Sequence, residues 1–191
     1  DALAESSWFF ESAYVPVPRT GPSVAALLTG MFPQNIDEWS IPDAHDTLAE
    51  AFTGQGWRTV AAVDNANLSK AAGYAQGFDS YHETWEDSDH EIDRTHLITR
   101  TAVEQLKGFA QTHESFFMWL HYVNPHLPYT PPSGFDNAYM NDAHFDGSLH
   151  LPRTPGVIGG IRPDVYIDGE HRLAYYVAQY DGEVLFADEE I

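Results

Sequence analysis

Apolar positions along the chain switch repeatedly between helical and strand spacing. The helical stretches place apolar side chains three and four positions apart, as Val24, Leu27 and Leu28 do, and this spacing predicts amphipathic helices. The strand stretches are short apolar runs bounded by charge, glycine or proline, which is typical of strands buried in a parallel sheet. The predicted helices are residues 22–29, 47–56, 92–112 and 171 onward, and the predicted strands are residues 8–15, 58–63 and 115–123. This alternation predicts an α/β fold in which helices sandwich a mostly parallel central sheet.

The same pattern predicts one domain over residues 1–191, which we expect to be partial because both ends fall within predicted elements. The stretch from Pro125 to Gly169 is rich in proline, glycine and acidic residues and has weak periodicity. Its part at 133–169 is therefore predicted to be a long loop or insertion that lies near a site. No run of about 18 apolar residues is present, so we expect no membrane segment.

Composition narrows the class of partner. The 191 residues include 29 acidic and 9 basic side chains, for a formal net charge of −20, which argues against a nucleic-acid partner because phosphates would be repelled. The acidity fits a well-solvated soluble surface or adaptation to high salt. The chain has no cysteine, which excludes disulfides and thiolate metal sites. A cytoplasmic and a secreted location both stay open, as does the oligomeric state.

The stretch RTGPSVAALLTG, residues 19–30, contains the first candidate for chemistry. Pro22 suits a first helical turn and Gly21 lets the backbone approach a ligand closely, so Thr20 would lie where helix N–H groups converge. Such a place stabilises negative charge on a phosphoryl or sulfuryl oxygen. Thr20 is then either a nucleophile, deprotonated by coordination to a divalent metal, or a helix cap.

Two further places follow predicted strands, where α/β proteins bind their ligands. His126, in the proline-stiffened stretch HYVNPHLPYTPP at 121–132, is either a proton donor to an anionic ester or a structural hydrogen-bonding residue. Asn65 and Asn67 follow the strand at 58–63 and either bind an anion or form a turn. The acidic stretch at 82–96 adds three histidines, which indicate either a metal site or an exposed loop: His82, His90 and His96.

Taken together these places resemble the sulfatase family of the alkaline phosphatase superfamily. Residues Thr20 to Gly30 match the family motif C/S-x-P-S-R-x-x-L-x-T-G at most positions. GFDSY at 77–81 is similar to the family's G-F-D-x-[FY], and NPHLPYTPP at 124–132 to its [AD]-P-H-x-P-[YF]. The stretch at 176–191 is similar to the helix that carries Y-x-A-x-[IV]-x-x-[VL]-D. The resemblance covers nearly the whole chain, in order.

The resemblance implies a role for each candidate. Thr20 falls at the nucleophile position, which is also a metal-ligand position, and His126 matches the histidine that contacts the sulfate or the leaving group. Asn65 and Asn67 fall near two substrate-contacting residues of the family, and with Arg19 they are the predicted substrate-binding residues. The implied cofactor is Ca²⁺, Mg²⁺ or Mn²⁺, whose remaining ligands we expect outside this chain, so that the isolated fragment would be inactive.

Two departures from the motif affect the implied chemistry. Threonine at position 20 cannot become formylglycine, which requires cysteine or serine there, and Val24 replaces the usual arginine. A threonine ester must be cleared by water or another acceptor. The predicted function is therefore metal-dependent hydrolysis of a small anionic sulfate ester. The alternatives are a phosphodiesterase or phosphotransferase that uses Thr20 directly, and a non-catalytic binding domain of the same fold.

Overall fold

A computed structural model of the chain describes residues 5–35, 39–87, 93–141, 147–152, 167 and 169–191. Within these ranges it contains a three-stranded sheet and four α-helices of at least six residues. The strands are β1 (Arg58–Val63), β2 (Ser80–Glu83) and β3 (Phe116–His121). The helices are α1 (Thr20–Thr29), α2 (Leu48–Thr53), α3 (Arg94–Thr112) and α4 (Leu173–Glu190). Searched over the same ranges, the chain has no helix long and apolar enough to cross a membrane.

The sheet has the strand order β2-β1-β3. Strand β1 pairs parallel with β2, with Val60 opposite Ser80 and Val63 opposite Glu83. As the central strand, β1 is buried along all of its length except Arg58. The predictions of strands at 58–63 and 115–123 and of the four helices are confirmed within a few residues at each end, and so is the predicted α/β class with a mostly parallel sheet.

Two local predictions are wrong. Residues 8–15 form no strand: the aromatic side chains of Trp8, Phe9 and Phe10 are 72–90% exposed, and the segment pairs with none of the three strands. A strand needs a partner for its backbone hydrogen bonds, and a β-forming composition cannot supply one. In α1, the spacing of Val24, Leu27 and Leu28 predicts that these three side chains form the buried face. The buried face instead runs through Gly21, Ala25 and Leu28, and Leu27 is 68% exposed.

The chain divides into two compact units. The first comprises Asp1–Glu83 and Gly108–Trp119, and the second comprises Thr84–Lys107 and Leu120–Ile191. The prediction of a single domain over 1–191 stays a prediction. Within the predicted loop at 133–169, residues 142–146, 153–166 and 168 lie outside the described residues.

In the first unit, the GFDSY stretch joins α2 to the sheet. Gly77 has φ +82°, and a Cβ there would lie 2.4 Å from the backbone nitrogen of Glu50, so only glycine lets the two segments approach. The Gly77 carbonyl accepts hydrogen bonds from the hydroxyls of Thr53 (2.8 Å) and Thr59 (2.9 Å). The carboxylate of Asp79 accepts the backbone N–H of Thr59 at 3.1 Å, which aligns the start of β1 with β2.

In the second unit, the C-terminal end of α4 meets the first turns of α3. The Thr99 hydroxyl donates a hydrogen bond to the carbonyl oxygen of Glu190 at 2.9 Å. The Glu190 carboxylate also lies 3.1 Å from Nδ1 of His96. These contacts tie the end of α4 to α3, while Phe186, further back along α4, packs against Phe135 in the chain that follows His126.

Candidate functional site

Thr20 is the first residue of α1, and it is not the cap of that helix. The N-cap is Arg19, whose backbone is extended (φ −142°, ψ 137°) and whose side chain makes no cap hydrogen bond. The Ser23 amide already donates to the carbonyl of Arg19 at 3.1 Å, and Pro22 has no N–H. The amides of Thr20 and Gly21 have no intrahelical acceptor in this geometry, and no acidic side chain lies in the first turn. The start of α1 therefore presents donors and a positive dipole end beside a half-buried hydroxyl.

A buried tyrosine holds this turn in place. The Tyr74 hydroxyl donates to the carbonyl oxygen of Gly21 at 2.9 Å, and Tyr74 is 1% exposed. The preceding residue, Gly73, has φ +84°, and a Cβ there would lie 2.1 Å from the carbonyl oxygen of Ile41. Sequence reasoning missed Tyr74, because the contact joins residues 53 positions apart and no local spacing signals it.

Arg19 is exposed and is directed onto an aromatic ring. Its guanidinium carbon lies 4.6 Å from the centroid of the Trp39 ring, which is within the range of a cation–π interaction. This contact restrains the position of the Arg19 side chain next to the start of α1.

Asn65 and Asn67 lie where β1 ends, as predicted, and they form a turn. The side-chain oxygen of Asn65 accepts the backbone N–H of Asn67 at 3.0 Å and caps a short 3₁₀ helix at Ala66–Leu68. This short helix contacts α1, so the structure brings the helix of Thr20 and the turn of the two asparagines together. The Asn65 oxygen is used by the turn, so the side-chain N–H₂ groups are the atoms of these two residues that can donate a hydrogen bond to an anion.

His126 lies in the second unit, in the loop that follows β3. Its backbone N–H donates to the carbonyl of Val123 at 2.8 Å, and its Nδ1 lies 2.7 Å from the carbonyl oxygen of Leu127. A carbonyl only accepts, so Nδ1 must be the protonated donor of that bond. The exposed ring therefore has Nε2 as the nitrogen available to a substrate.

The histidines at 82–96 separate in the structure. His82 Nε2 lies 2.8 Å from the Ser80 hydroxyl and His96 Nδ1 lies 3.1 Å from Glu190, while His90 lies outside the described residues. Across the described ranges, no three histidine, aspartate or glutamate side chains gather into a group that could hold a metal ion. His82 and His96 therefore do not hold the divalent metal that the resemblance implies, and Thr20 is the residue of this chain that would contribute to it.

Comparisons with solved structures show the fold that these elements build. A phosphonate monoester hydrolase of Agrobacterium radiobacter matches with a TM-score of 0.61 and 15% identity, over 92% of this chain and 49% of its own. The protein BT4656, whose structure was solved in complex with its substrate D-glucosamine-2-N,6-O-disulfate, matches with a TM-score of 0.51 and 22% identity, over 72% of this chain and 33% of its own. The protein Ps i-CgsB matches with a TM-score of 0.51 and 16% identity, over 92% of this chain and 46% of its own.

The chain thus spans half or less of the length of these structures. At such low identity the likeness establishes the fold alone, an α/β fold of the kind that these structures share. A comparison with curated proteins gave no match. The family model described as Sulfatase matches residues 1–191, that is, the whole sequence. By that match the chain belongs to the sulfatase family, as the motifs at 20–30, 77–81 and 124–132 predicted.

Proposed function

We propose that the complete protein is a metal-dependent hydrolase of sulfate esters in which Thr20 is the nucleophile. The observation that carries this proposal is the start of α1, where Thr20 stands next to two amides without intrahelical acceptors and without an acidic side chain in the first turn. A sulfuryl group is anionic, and a helix N-terminus of this kind favours exactly that sign of charge.

In the proposed reaction, the Thr20 hydroxyl releases its proton to solvent, and its oxygen forms a bond to sulfur while the bond from sulfur to the leaving oxygen breaks. The amides of Thr20 and Gly21 donate hydrogen bonds to the sulfuryl oxygens, whose charge they stabilise. Water then attacks sulfur and breaks the bond from sulfur to the Thr20 oxygen. One proton of that water restores the Thr20 hydroxyl, the other returns to the acid that protonated the leaving oxygen, and sulfate is released. This second step is needed because a threonine ester cannot collapse to an aldehyde.

His126 is proposed as the acid that protonates the leaving oxygen. With Nδ1 donating to Leu127, the protonated ring directs its second proton outward from Nε2. Arg19, Asn65 and Asn67 are proposed to bind the rest of the anionic ester through their N–H groups. Divalent-metal dependence, with Thr20 as one ligand, belongs to the proposal for the complete protein.

Phosphorus esters are the second candidate substrate. Threonine excludes the formylglycine that the cysteine- or serine-type sulfatases use, and a direct hydroxyl nucleophile suits phosphoryl or phosphonyl transfer as well as sulfuryl transfer. One structurally similar protein is a phosphonate monoester hydrolase. A phosphodiesterase or phosphotransferase that uses Thr20 is therefore the alternative.

The test is turnover by the natural full-length protein of 4-nitrophenyl sulfate, 4-nitrophenyl phosphate and a 4-nitrophenyl phosphonate, each with added Ca²⁺, Mg²⁺ or Mn²⁺. The preferred ester decides between sulfur and phosphorus, and loss of activity with EDTA tests metal dependence. Thr20→Ala is expected to lower kcat by at least about a thousandfold, because it removes the nucleophile. Thr20→Ser keeps a hydroxyl and is the matched control, with measurable activity expected from protein whose intact mass shows that the serine has not been converted to formylglycine.

Undiminished turnover by Thr20→Ala would remove Thr20 from the mechanism. No turnover of any of the three esters by the metal-loaded protein would favour the non-catalytic binding domain. Circular dichroism of each variant separates a loss of chemistry from a loss of fold.

A further inference from the structure

One face of α4 holds the chain just after His126 by a series of side-chain contacts. The contacts recur at helical spacing, so they form a single seam along the helix. Gln179, Gly182, Glu183 and Phe186 make this seam, at positions i, i+3, i+4 and i+7. This seam of α4 contacts the segment at 130–136. All of these residues belong to the second unit.

Each contact in the seam fixes a different atom of the segment. The Glu183 carboxylate accepts the backbone N–H of Thr130 at 2.6 Å. The Gln179 side-chain amide donates to the carbonyl oxygen of Asp136 at 2.7 Å. Between them, a Cβ at Gly182 would lie 2.6 Å from the carbonyl oxygen of Phe135, so the backbones touch there. The position of the segment along α4 is therefore set by main-chain contacts, which depend little on the loop's own sequence.

Glu183 is an unusual residue to find in that seam. It is 2% exposed, and its Oε2 atom has no partner in hydrogen-bonding geometry among the described residues. Burial raises the pKa of the Glu183 carboxyl, and the charge of Asp93 adds to the rise. Hydrogen bonding from the Thr130 backbone and the Asn124 amide, and the charge of His126, act in the opposite direction. A half-satisfied buried carboxylate costs stability, so packing alone does not account for it.

Two neighbours of Glu183, Asn124 and Thr130, lie on either side of His126 along the chain. Thr130 lies four residues after His126, and Asn124 lies two residues before it. The Asn124 side-chain oxygen in turn accepts a hydrogen bond from the Thr95 hydroxyl, at the start of α3. A single carboxylate thus lies beside both ends of the short loop 124–130, which contains the exposed His126.

We propose that Glu183 is a positioning residue that holds the 124–130 loop on α4 and thereby fixes where His126 meets the leaving group. This inference rests on the proposed function of His126. Glu183 does not touch substrate in this proposal. It acts through the backbone of Thr130, so its effect on chemistry depends on the presence of the histidine.

The experiment compares Glu183→Leu with Glu183→Gln in the natural full-length protein. Leucine fills the buried space but accepts no hydrogen bond, whereas glutamine keeps an oxygen that accepts the Thr130 N–H. We expect Glu183→Leu to lower kcat about tenfold on the phenyl ester, which needs proton donation, and less on the 4-nitrophenyl ester, whose leaving group needs little. KM is expected to stay within about twofold, and Glu183→Gln to recover most of the loss.

A double-mutant cycle with His126→Ala gives the sharper result. If Glu183 acts through His126, Glu183→Leu causes no further loss of kcat in the His126→Ala background. Glu190→Gln is the matched control, because it changes a carboxylate on the same helix that contacts His96 and not the loop; we expect activity within about twofold of wild type. Equal losses on both esters, or additive losses in the cycle, would overturn the proposal.

Amide hydrogen exchange tests the hydrogen bond between Thr130 and Glu183 without an activity assay. The Thr130 amide is expected to exchange at least about tenfold faster in Glu183→Leu and near the wild-type rate in Glu183→Gln. Unchanged exchange would overturn the proposal even if kcat fell. If His126→Ala shows no dependence on the leaving group, the proposed role of His126 fails, while the exchange result still decides whether Glu183 holds the loop. Should Glu183→Leu not fold, Glu183→Met, whose flexible unbranched side chain fills the same space and also leaves the Thr130 N–H without a carboxylate, is measured by the same criteria.

Discussion

The start of α1 and the loop at 124–130 are each held by a buried polar side chain of their own, a hydrogen-bond donor in the first case and an acceptor in the second. At α1, the neutral Tyr74 hydroxyl donates to the carbonyl of Gly21. At the loop, the Glu183 carboxylate accepts the N–H of Thr130. A buried phenol needs only one partner for its proton, whereas a buried carboxylate has several lone pairs to satisfy and a charge to desolvate. The first contact therefore buries no charge, whereas the second buries a carboxylate, costs stability and depends on protonation.

The largest expected effect is at the residue that precedes the tyrosine. Gly73→Ala would place a Cβ 2.1 Å from the Ile41 carbonyl oxygen at a positive φ, so the backbone must shift and carry Tyr74 with it. We expect a loss of about 3 kcal/mol or more in the free energy of unfolding, measured by urea denaturation.

The matched control for this substitution is Gly134→Ala. Gly134 also has a positive φ of +103°, but a Cβ there would meet nothing within 4 Å. It is expected to cost only the backbone strain, on the order of 1 kcal/mol. Equal costs at the two glycines would show that the close approach to Ile41 contributes nothing.

A smaller loss is expected from Tyr74→Phe, which keeps the ring and removes the hydrogen bond to Gly21. The carbonyl oxygen of Gly21 loses that donor but keeps the helical N–H of Ala25, so the expected cost is that of one hydrogen bond, about 0.5–1.5 kcal/mol of stability. We also expect a lower kcat in the full-length protein, because the turn that carries Thr20 loses its anchor. Tyr14→Phe, at a side chain that is 91% exposed, should leave both quantities unchanged, and an equal loss there would contradict this account.

The smallest effect is a difference in pH dependence between the two contacts. Because the pKa of Glu183 is raised in the folded protein, the folded state holds this proton more tightly than the unfolded state does. Its contribution to stability is therefore fully present below the ordinary carboxyl pKa of 4.5 and is lost as pH rises through the raised value. Of the charged neighbours, Asp93 raises the pKa of Glu183 and His126 lowers it, so both charges affect the pH at which this contribution is lost.

We expect the difference in unfolding free energy between wild type and Glu183→Gln to shift against wild type as pH rises above 4.5. The corresponding difference for Tyr74→Phe should stay flat over the same range. Parallel pH curves for the two pairs would contradict the contrast drawn between a phenol contact and a carboxylate contact.

Local pattern predicted most of the framework. The capping box that begins α2, with Thr47 and Glu50 bonded to each other's backbone, and the left-handed Gly30 that ends α1 are written in nearby residues. The strand prediction at 8–15 failed because pairing partners, unlike β propensity, are not a local property. For the same reason Leu27 was expected to be buried and is exposed: spacing gives the periodicity of a helix, and the packing partner decides which face turns inward.

For the candidate site, the sequence by itself determined the family, a helix that begins within two residues of Thr20 and the loop that contains His126, because their motifs are contiguous and their glycines and prolines restrict the backbone locally. Only the tertiary structure decided that Arg19 and not Thr20 is the N-cap, that Tyr74 holds the turn from 53 positions away, and that Glu183 meets the backbone of Thr130. These contacts join residues far apart in the chain through main-chain atoms, which every residue possesses, and so no side-chain pattern announces them.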